Sequence, residues 1–247
     1  MTERPAKPTN QQTNKRTNQQ TNKPTNNRLT VRQLGRRPYE PVWAAMRELT
    51  DARGPDKPDE LWLVEHDPVF TQGLAGKPEH LLNPGDIPVV QTDRGGQVTY
   101  HGPGQVVAYP LLDLKRLGLG VRCLVDRLEQ SVIDVLSERG IEGVRRDGAP
   151  GVFVGQAKIA SIGLKVRREC TYHGLAFNID MDLAPFARIN PCGFSGLAMT
   201  DMKTLDESAN WQAMADALCT SICRLLGYHQ DSIRFSDVAH SRLDSVC

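Results

Sequence analysis

The sequence predicts a single domain of α/β or α+β class in which strands outnumber helices and pair in antiparallel or mixed fashion. Three observations carry this. Residues 1–28 are low-complexity, which leaves about 219 of the 247 residues, length for one substantial core. Strand-like segments recur between three helical ones. Two of those strands meet at Gly155-Gln156 as a tight hairpin, a connection that a strict βαβ series does not contain.

The elements follow in order. Leu29–Leu34 (LTVRQL) alternates apolar and polar, the period of a half-buried strand. Tyr39 to Ala52 carries Val42, Trp43, Met46 and Leu49 at helical spacing and stops at Arg53-Gly54-Pro55. Glu60–Glu65 reads as a strand, and His66-Asp67-Pro68 turns the chain. Residues 71–86, rich in Gly, Pro and charge, read as a loop, and Pro88–Thr92 as a short strand. Gln105–Leu114 is almost continuously apolar and suits a central strand, with Pro110 at a bend or edge. Val121–Ser137 repeats apolar residues as a helix does and ends before Gly140. Gly151–Val154 and Ala157–Val166 form the hairpin, Thr171–Ile179 a further strand, and Asp206–Leu226 a last helix.

The tail repeats TNQQTNKR (9–16) as TNQQTNKP (17–24), and Asn, Gln and Thr fill 16 of its 28 positions. Such a segment buries too little to offset the ordering entropy of about 1–2 kcal/mol per residue, so a disordered tail over 1–28 and a single folded domain over 29–247 are expected. The tail holds six basic residues and one acidic, which leaves the body with 24 basic against 28 acidic. A body of net charge −4 is not a nucleic-acid-binding one. No apolar run reaches the roughly 18 residues of a membrane span, and the N-terminus lacks a secretory core, so the expectation is a cytoplasmic protein with neither nucleic acid nor membrane as partner. Six cysteines in a chain of this length are not a disulfide scaffold, and no Cys/His spacing suggests a metal.

The densest unusual stretch is Arg94-Gly95-Gly96-Gln97-Val98-Thr99-Tyr100-His101-Gly102-Pro103-Gly104-Gln105. Four glycines allow close approach of a ligand, and the other positions supply more polar functions than a turn requires. It is neither a Walker A loop nor a GxGxxG turn. Cys219 and Cys223 lie four apart on the last helix and read as core; Cys192 differs, because it stands on a Pro/Gly turn, Asn190-Pro191-Cys192-Gly193, where a thiol is presented rather than packed. A reactive thiol wants a cationic neighbour. If its strand is regular, Lys158 shares a face with Ala160, Ile162, Leu164 and Val166, so it either reaches water at an edge or is buried and given a task. His101 and His173, each in a Tyr-His-Gly triplet, are rival bases.

The run RGGQVTYHGPGQ followed by VVAYPLLDL resembles the octanoyltransferases of lipoic acid biosynthesis, the lipoyl(octanoyl) transferases. GVFVGQAKIASIGLKV, HGLAFNID and the INPCG turn followed by MTDM extend the likeness from about Leu29 to Tyr228. The resemblance implies an α+β fold, a central mixed or mainly antiparallel sheet flanked by helices, akin to the catalytic domain of lipoate and biotin protein ligases. It implies transfer of an octanoyl group from octanoyl-acyl carrier protein to a lysine of lipoyl domains, in 2-oxo acid dehydrogenase acyltransferase subunits and the glycine cleavage H protein. By motif, Cys192 is then the acyl-thioester nucleophile and Lys158 the residue that lowers its pKa and moves protons. Substrate binding falls on Arg94, Gly95, Gly96, Gln97, Val98, Thr99, Tyr100 and His101, on Ser161, Ile162 and Gly163, and on Gly174, Leu175 and Ala176. Exchange between thioesters is nearly isoenergetic, so no cofactor, ATP or metal is expected. The competing readings are an ATP-dependent lipoate protein ligase, a lipoyl amidotransferase and a non-catalytic carrier-binding module.

Overall fold

The computed structural model of the chain describes residues 28–191 and 196–237. The low-complexity tail lies outside the described residues up to Arg28, whose carbonyl already accepts from the Asp59 N–H at 2.9 Å.

The strands are β1 (Leu29–Arg37), β2 (Asp59–His66), β3 (Val69–Gln72), β4 (Val89–Gln91), β5 (Val98–His101), β6 (Gln105–Leu111), β7 (Gly151–Val154), β8 (Ala157–Arg167), β9 (Cys170–Asn178) and β10 (Ile233–Asp237). The helices are α1 (Tyr39–Asp51), α2 (Leu114–Leu117), α3 (Val121–Ser137), α4 (Met202–Leu205) and α5 (Trp211–Leu226). Among the described residues, seven strands order as β10-β1-β2-β6-β9-β8-β7, and β4-β3-β5 make a second, smaller sheet. In the large sheet β1 runs parallel to β10 and to β2, and all other neighbours are antiparallel. The architecture is therefore α+β, with a mixed, mainly antiparallel sheet flanked by helices.

Burial explains the layering. The central strand β6 is buried along its whole length, as its near-continuous apolar sequence requires, and β2 almost so, its buried Asp59 and Glu60 held by Arg53, Arg116 and Arg32. On one face, Leu124, Leu128 and Val132 of α3 and Met214, Leu218 and Ile222 of α5 close over Val106, Ala108, Leu175 and Phe177. Cys219 and Cys223 lie buried in that same cluster, as their helical spacing implies. On the other face, α1 sets Val42 and Met46 against Trp62, Val64 and Val107. The small sheet covers the rest of that face around Phe70, Val98 and Tyr100.

The structure departs from the sequence reading in four places. The stretch read as a loop from residue 71 opens within β3, and the Gly-rich run contains β5; these four-residue strands are too short to show a period. The last helix begins at Trp211 rather than Asp206, because Asn210 caps it on the Ala213 N–H while Asp201 caps the separate turn α4. Pro110 sits inside a central strand: pairing of β6 to β9 runs from Gln105 to Ala108, and beyond it the Thr171 hydroxyl bonds the Pro110 carbonyl and the Leu112 N–H instead. Finally, β8 is not regular. Val152 opposes Ala160 while Phe153 opposes Lys158, so Ile159 is the extra residue of a bulge. Ile159 and Ala160 both join the helix-side core. The bulge thus reverses the expected alternation, and Lys158 lies on the opposite face, across from Phe153.

Candidate active site

A cavity, partly open to solvent, lies between the large sheet and the small one. Its floor follows from two glycines. Gly163 of β8 and Gly174 of β9 are paired, so the sheet surface carries no side chain there. A Cβ at Gly174 would stand 2.0 Å from the Ala108 carbonyl oxygen, and one at Gly163 would stand 2.9 Å from that of Gly95. The Gly-rich turn rests on β8 at this point, through the Gly95 N–H to the Leu164 carbonyl at 2.9 Å. It then feeds β5, which supplies Val98, Thr99 and His101.

The lining brings together Arg94, Gly96, Gln97, Val98, Thr99, His101, Ser161, Ile162, Gly163, Gly174, Leu175 and Ala176. Of the substrate positions read from sequence, Gly95 and Tyr100 are not in that lining: Gly95 is spent on the backbone contact, and Tyr100 points into the small apolar cluster against Phe70 and Phe186. Lys158 is also outside the cavity lining. It is fully buried, its Nζ donates to the Pro150 carbonyl at 2.7 Å and stands 5.3 Å from the centre of the Phe153 ring. This removes the reading in which it reaches water at a strand edge. Its backbone is held between Ala198 and Thr200, through Lys158 N–H to the Ala198 carbonyl and the Thr200 N–H to its own carbonyl. Cys192 lies outside the described residues; the chain is described up to Pro191 and again from Gly196.

The cavity also holds residues not singled out from sequence, Tyr39, Val107 and Tyr109, and it recruits His173. His173 has φ +59°, rare for a residue with a side chain and costly in a strand. It stands next to Gly174, where β9 has lost its partner on the Pro110 side. The ring Nε2–H donates to Asp93 at 2.9 Å, and Nδ1 accepts from the Tyr39 hydroxyl at 3.4 Å. Burial acts to raise the Asp93 carboxyl, but hydrogen bonds from His173, Tyr172 and the Trp43 indole outweigh it and hold the group well below the usual carboxylate range. Burial pushes His173 down, against the pull of Asp93, so the ring is neutral. Behind these rings, His66 donates from Nδ1 to the Arg37 carbonyl at 3.0 Å, and that acceptor fixes the tautomer; its Nε2 then accepts from the Tyr109 hydroxyl at 2.8 Å. The signal for Asp93 was its place beside Arg94. For His66 and Tyr39 there was none beyond residue type.

Burial drives His66 down to about 4, only partly offset by the Arg37 carbonyl and Asp67. An unfolded histidine titrates near 6.5, so the unfolded chain takes up this proton first. The associated stability is whole above about pH 6.5 and is lost as pH falls through about 4. Denaturant midpoints measured from pH 8 to pH 4 should decline over that window, and His66→Gln should flatten the decline. An unchanged slope in the variant would remove His66 as its source.

The lipoyl protein ligase A/B catalytic domain family matches residues 38–223. An octanoyltransferase of Cellvibrio japonicus (strain Ueda107) is 61% identical over 207 residues, 83% of this chain and 96% of that protein. One of Shewanella sp. (strain ANA-3) is 58% identical over 202 residues, 82% of this chain and 93% of that one. Among solved structures, a lipoate-protein ligase A bound with ATP superposes with a TM-score of 0.66 at 14% identity, covering 89% of this chain and 91% of that one. A bi-partite lipoate protein ligase with its E2 lipoyl domain, from Thermoplasma acidophilum, gives 0.65 at 13% identity and covers 89% of each chain. At such identity these two likenesses concern the fold.

Proposed function

The chain belongs to the octanoyltransferases of the lipoyl protein ligase A/B catalytic domain family, and from that premise we propose that it moves octanoyl from octanoyl-acyl carrier protein to a lysine of lipoyl domains through a thioester on Cys192. The family makes it an acyltransferase of lipoate biosynthesis. The donor, the acceptor and the covalent step are the parts of this reading that go further.

The observation that carries the mechanism is the burial of Lys158. A fully buried ammonium is costly, and a strand that wanted only packing would hold an apolar residue there. Here the Pro150 carbonyl orients it, and its backbone pairs with Ala198–Thr200, a segment that follows Cys192 in sequence. An ammonium beside the thiol favours the thiolate. In the first half-reaction the Cys192 thiolate attacks the thioester carbonyl, the carrier's C–S bond breaks, and Lys158 gives its proton to the leaving carrier thiolate. In the second, the acceptor amine attacks the acyl-enzyme, Lys158 takes a proton from the attacking nitrogen, and Cys192 leaves as thiolate. Atoms and charge balance over the cycle, and neither a nucleotide nor a metal enters it.

The acyl chain would occupy the cavity over the Gly163–Gly174 floor, with Val98, Val107 and Ala176 as its apolar sides. Burial at about 0.8 kcal/mol per methylene favours an acyl chain over none. The test is intact mass after incubation with octanoyl-acyl carrier protein, where a gain of about 126 Da marks one octanoyl in place of one hydrogen. Transfer that instead requires free octanoate and ATP, with no adduct from the carrier thioester, would assign the chain to the ligase reading. Residues 29–247 act as the catalytic domain in this proposal. Deleting residues 1–27 should leave melting temperature and transfer rate unchanged, and a large drop in either would give the tail a role.

A further inference from the structure

Seen from Lys158, the far end of the cavity is a wall of rings. Ser161, Ala176 and Val107 stand in one row across β8, β9 and β6. Lys158 precedes that row on β8, and Tyr109 follows it on β6, a strand that runs parallel to β8. With the bulge discounted, the two backbones are about 13 Å apart along the strands and about 10 Å apart across them. Ser161, Ala176 and Val107 of the cavity lining lie between the two.

We propose that Tyr39 and Tyr109, backed by their histidines, close the acyl slot at this end and set the longest chain it accepts. The inference rests on the acyl-transfer reading above. Tyr39 stacks on His101 with ring centres 5.8 Å apart and planes 10° apart, and meets His66 edge-on at 5.2 Å. His66 in turn lies 5.9 Å from both His101 and Tyr109. Interlocked rings of this kind cannot yield to an extra methylene without moving their neighbours.

The polar tips are tied off behind the wall. The Tyr109 hydroxyl gives its proton to His66, the Tyr39 hydroxyl to His173, and the His101 Nδ1–H goes to Gln105 Oε1 at 2.8 Å. Gln105 is held the right way round, because its amide nitrogen donates to Asn178 at 2.9 Å. The wall therefore offers an alkyl terminus ring carbon in place of unspent hydroxyl protons. Two tyrosines, each oriented by a separate histidine, are more than core packing requires. They are what a fixed stop requires.

The experiment measures acyl-enzyme formation by intact mass with octanoyl-, decanoyl- and dodecanoyl-phosphopantetheine thioesters, on wild type, Tyr39→Ala and Tyr109→Leu. Wild type should load octanoyl fastest. In the two enlarged variants the dodecanoyl-to-octanoyl rate ratio should rise by at least about tenfold, since added methylenes regain burial. Tyr109→Phe keeps the ring and should keep the wild-type order of chain lengths. If both enlarged variants melt as folded proteins and hold the wild-type ratio, the wall does not set length. Should Tyr39→Ala not fold, Tyr39→Leu and Tyr109→Leu decide the same ratio. A wild type that accepts no acyl group from any thioester would count against the transfer reading alone. Calorimetry with free octanoate and dodecanoate then reads the wall directly, and a dodecanoate preference unmoved by the variants would overturn it.

Discussion

Cys192→Ala should abolish the octanoyl adduct and slow transfer by at least about a thousandfold, with the melting temperature close to wild type. The loss is large because, in the proposed mechanism, the thiol makes and breaks the bond, and without it carrier thioester and acceptor amine would have no shared intermediate. The small expected effect on stability rests on the sequence reading, in which the Pro191 and Gly193 neighbours predict a presented thiol rather than a packed one. The described cysteines do not compete for the role. Cys123, Cys170, Cys219 and Cys223 are all outside the cavity lining. Burial pushes the Cys170 thiol up, away from the reactive form, and Cys219 and Cys223 are packed in the helix-side core. Cys192→Ser should be nearly as poor, because a serine hydroxyl is not ionised at neutral pH. Transfer at the wild-type rate in Cys192→Ala would end the thioester mechanism.

Removing the Lys158 amine should be the second largest effect, a loss on the order of 10²- to 10⁴-fold in transfer. Lys158→Met separates charge from packing, because it keeps the length of the buried stem. Lys158→Ala adds a cavity under Phe153 and should cost a further 1–3 kcal/mol or so of stability. Lys158→Arg should retain some thiolate and some acylation yet transfer poorly, since guanidinium does not give up its proton. It must also find room: the Lys158 Cε lies 2.5 Å from where a Cβ on Gly151 would stand. The decisive measurement titrates thiol alkylation against pH in wild type, Lys158→Met, His101→Ala and His173→Ala. Only the lysine variant should raise the apparent thiol pKa. A shift in a histidine variant with none in Lys158→Met would replace the lysine with a Cys–His pair. The geometry argues against that exchange, because His173 is engaged with Asp93 and Tyr39, and His101 with Gln105.

Local pattern in the sequence determined the elements whose period is long enough to read. The alternation of LTVRQL became β1, the helical spacing of Val42 and Met46 became α1, and that of Leu124 through Leu136 became α3. The Gly-rich run signalled close approach because glycine permits it, and the backbone approach that the structure shows there is that of Gly95 over Gly163. The motifs, through the family they resemble, named Cys192 and Lys158. What sequence could not decide depends on partners far along the chain. The face on which Lys158 lies turned on one bulged residue, Ile159, and a bulge is set by the register with β7, which no local period records. Strands β3 and β5 exist because each supplies the other's hydrogen bonds, and alone they are four residues without a signal. The wall of Tyr39, His66, His101, Tyr109 and His173 draws on α1, β2, β5, β6 and β9. Each ring is ordinary in its own segment, and only the packing of those segments against one sheet turns five separate residues into one surface.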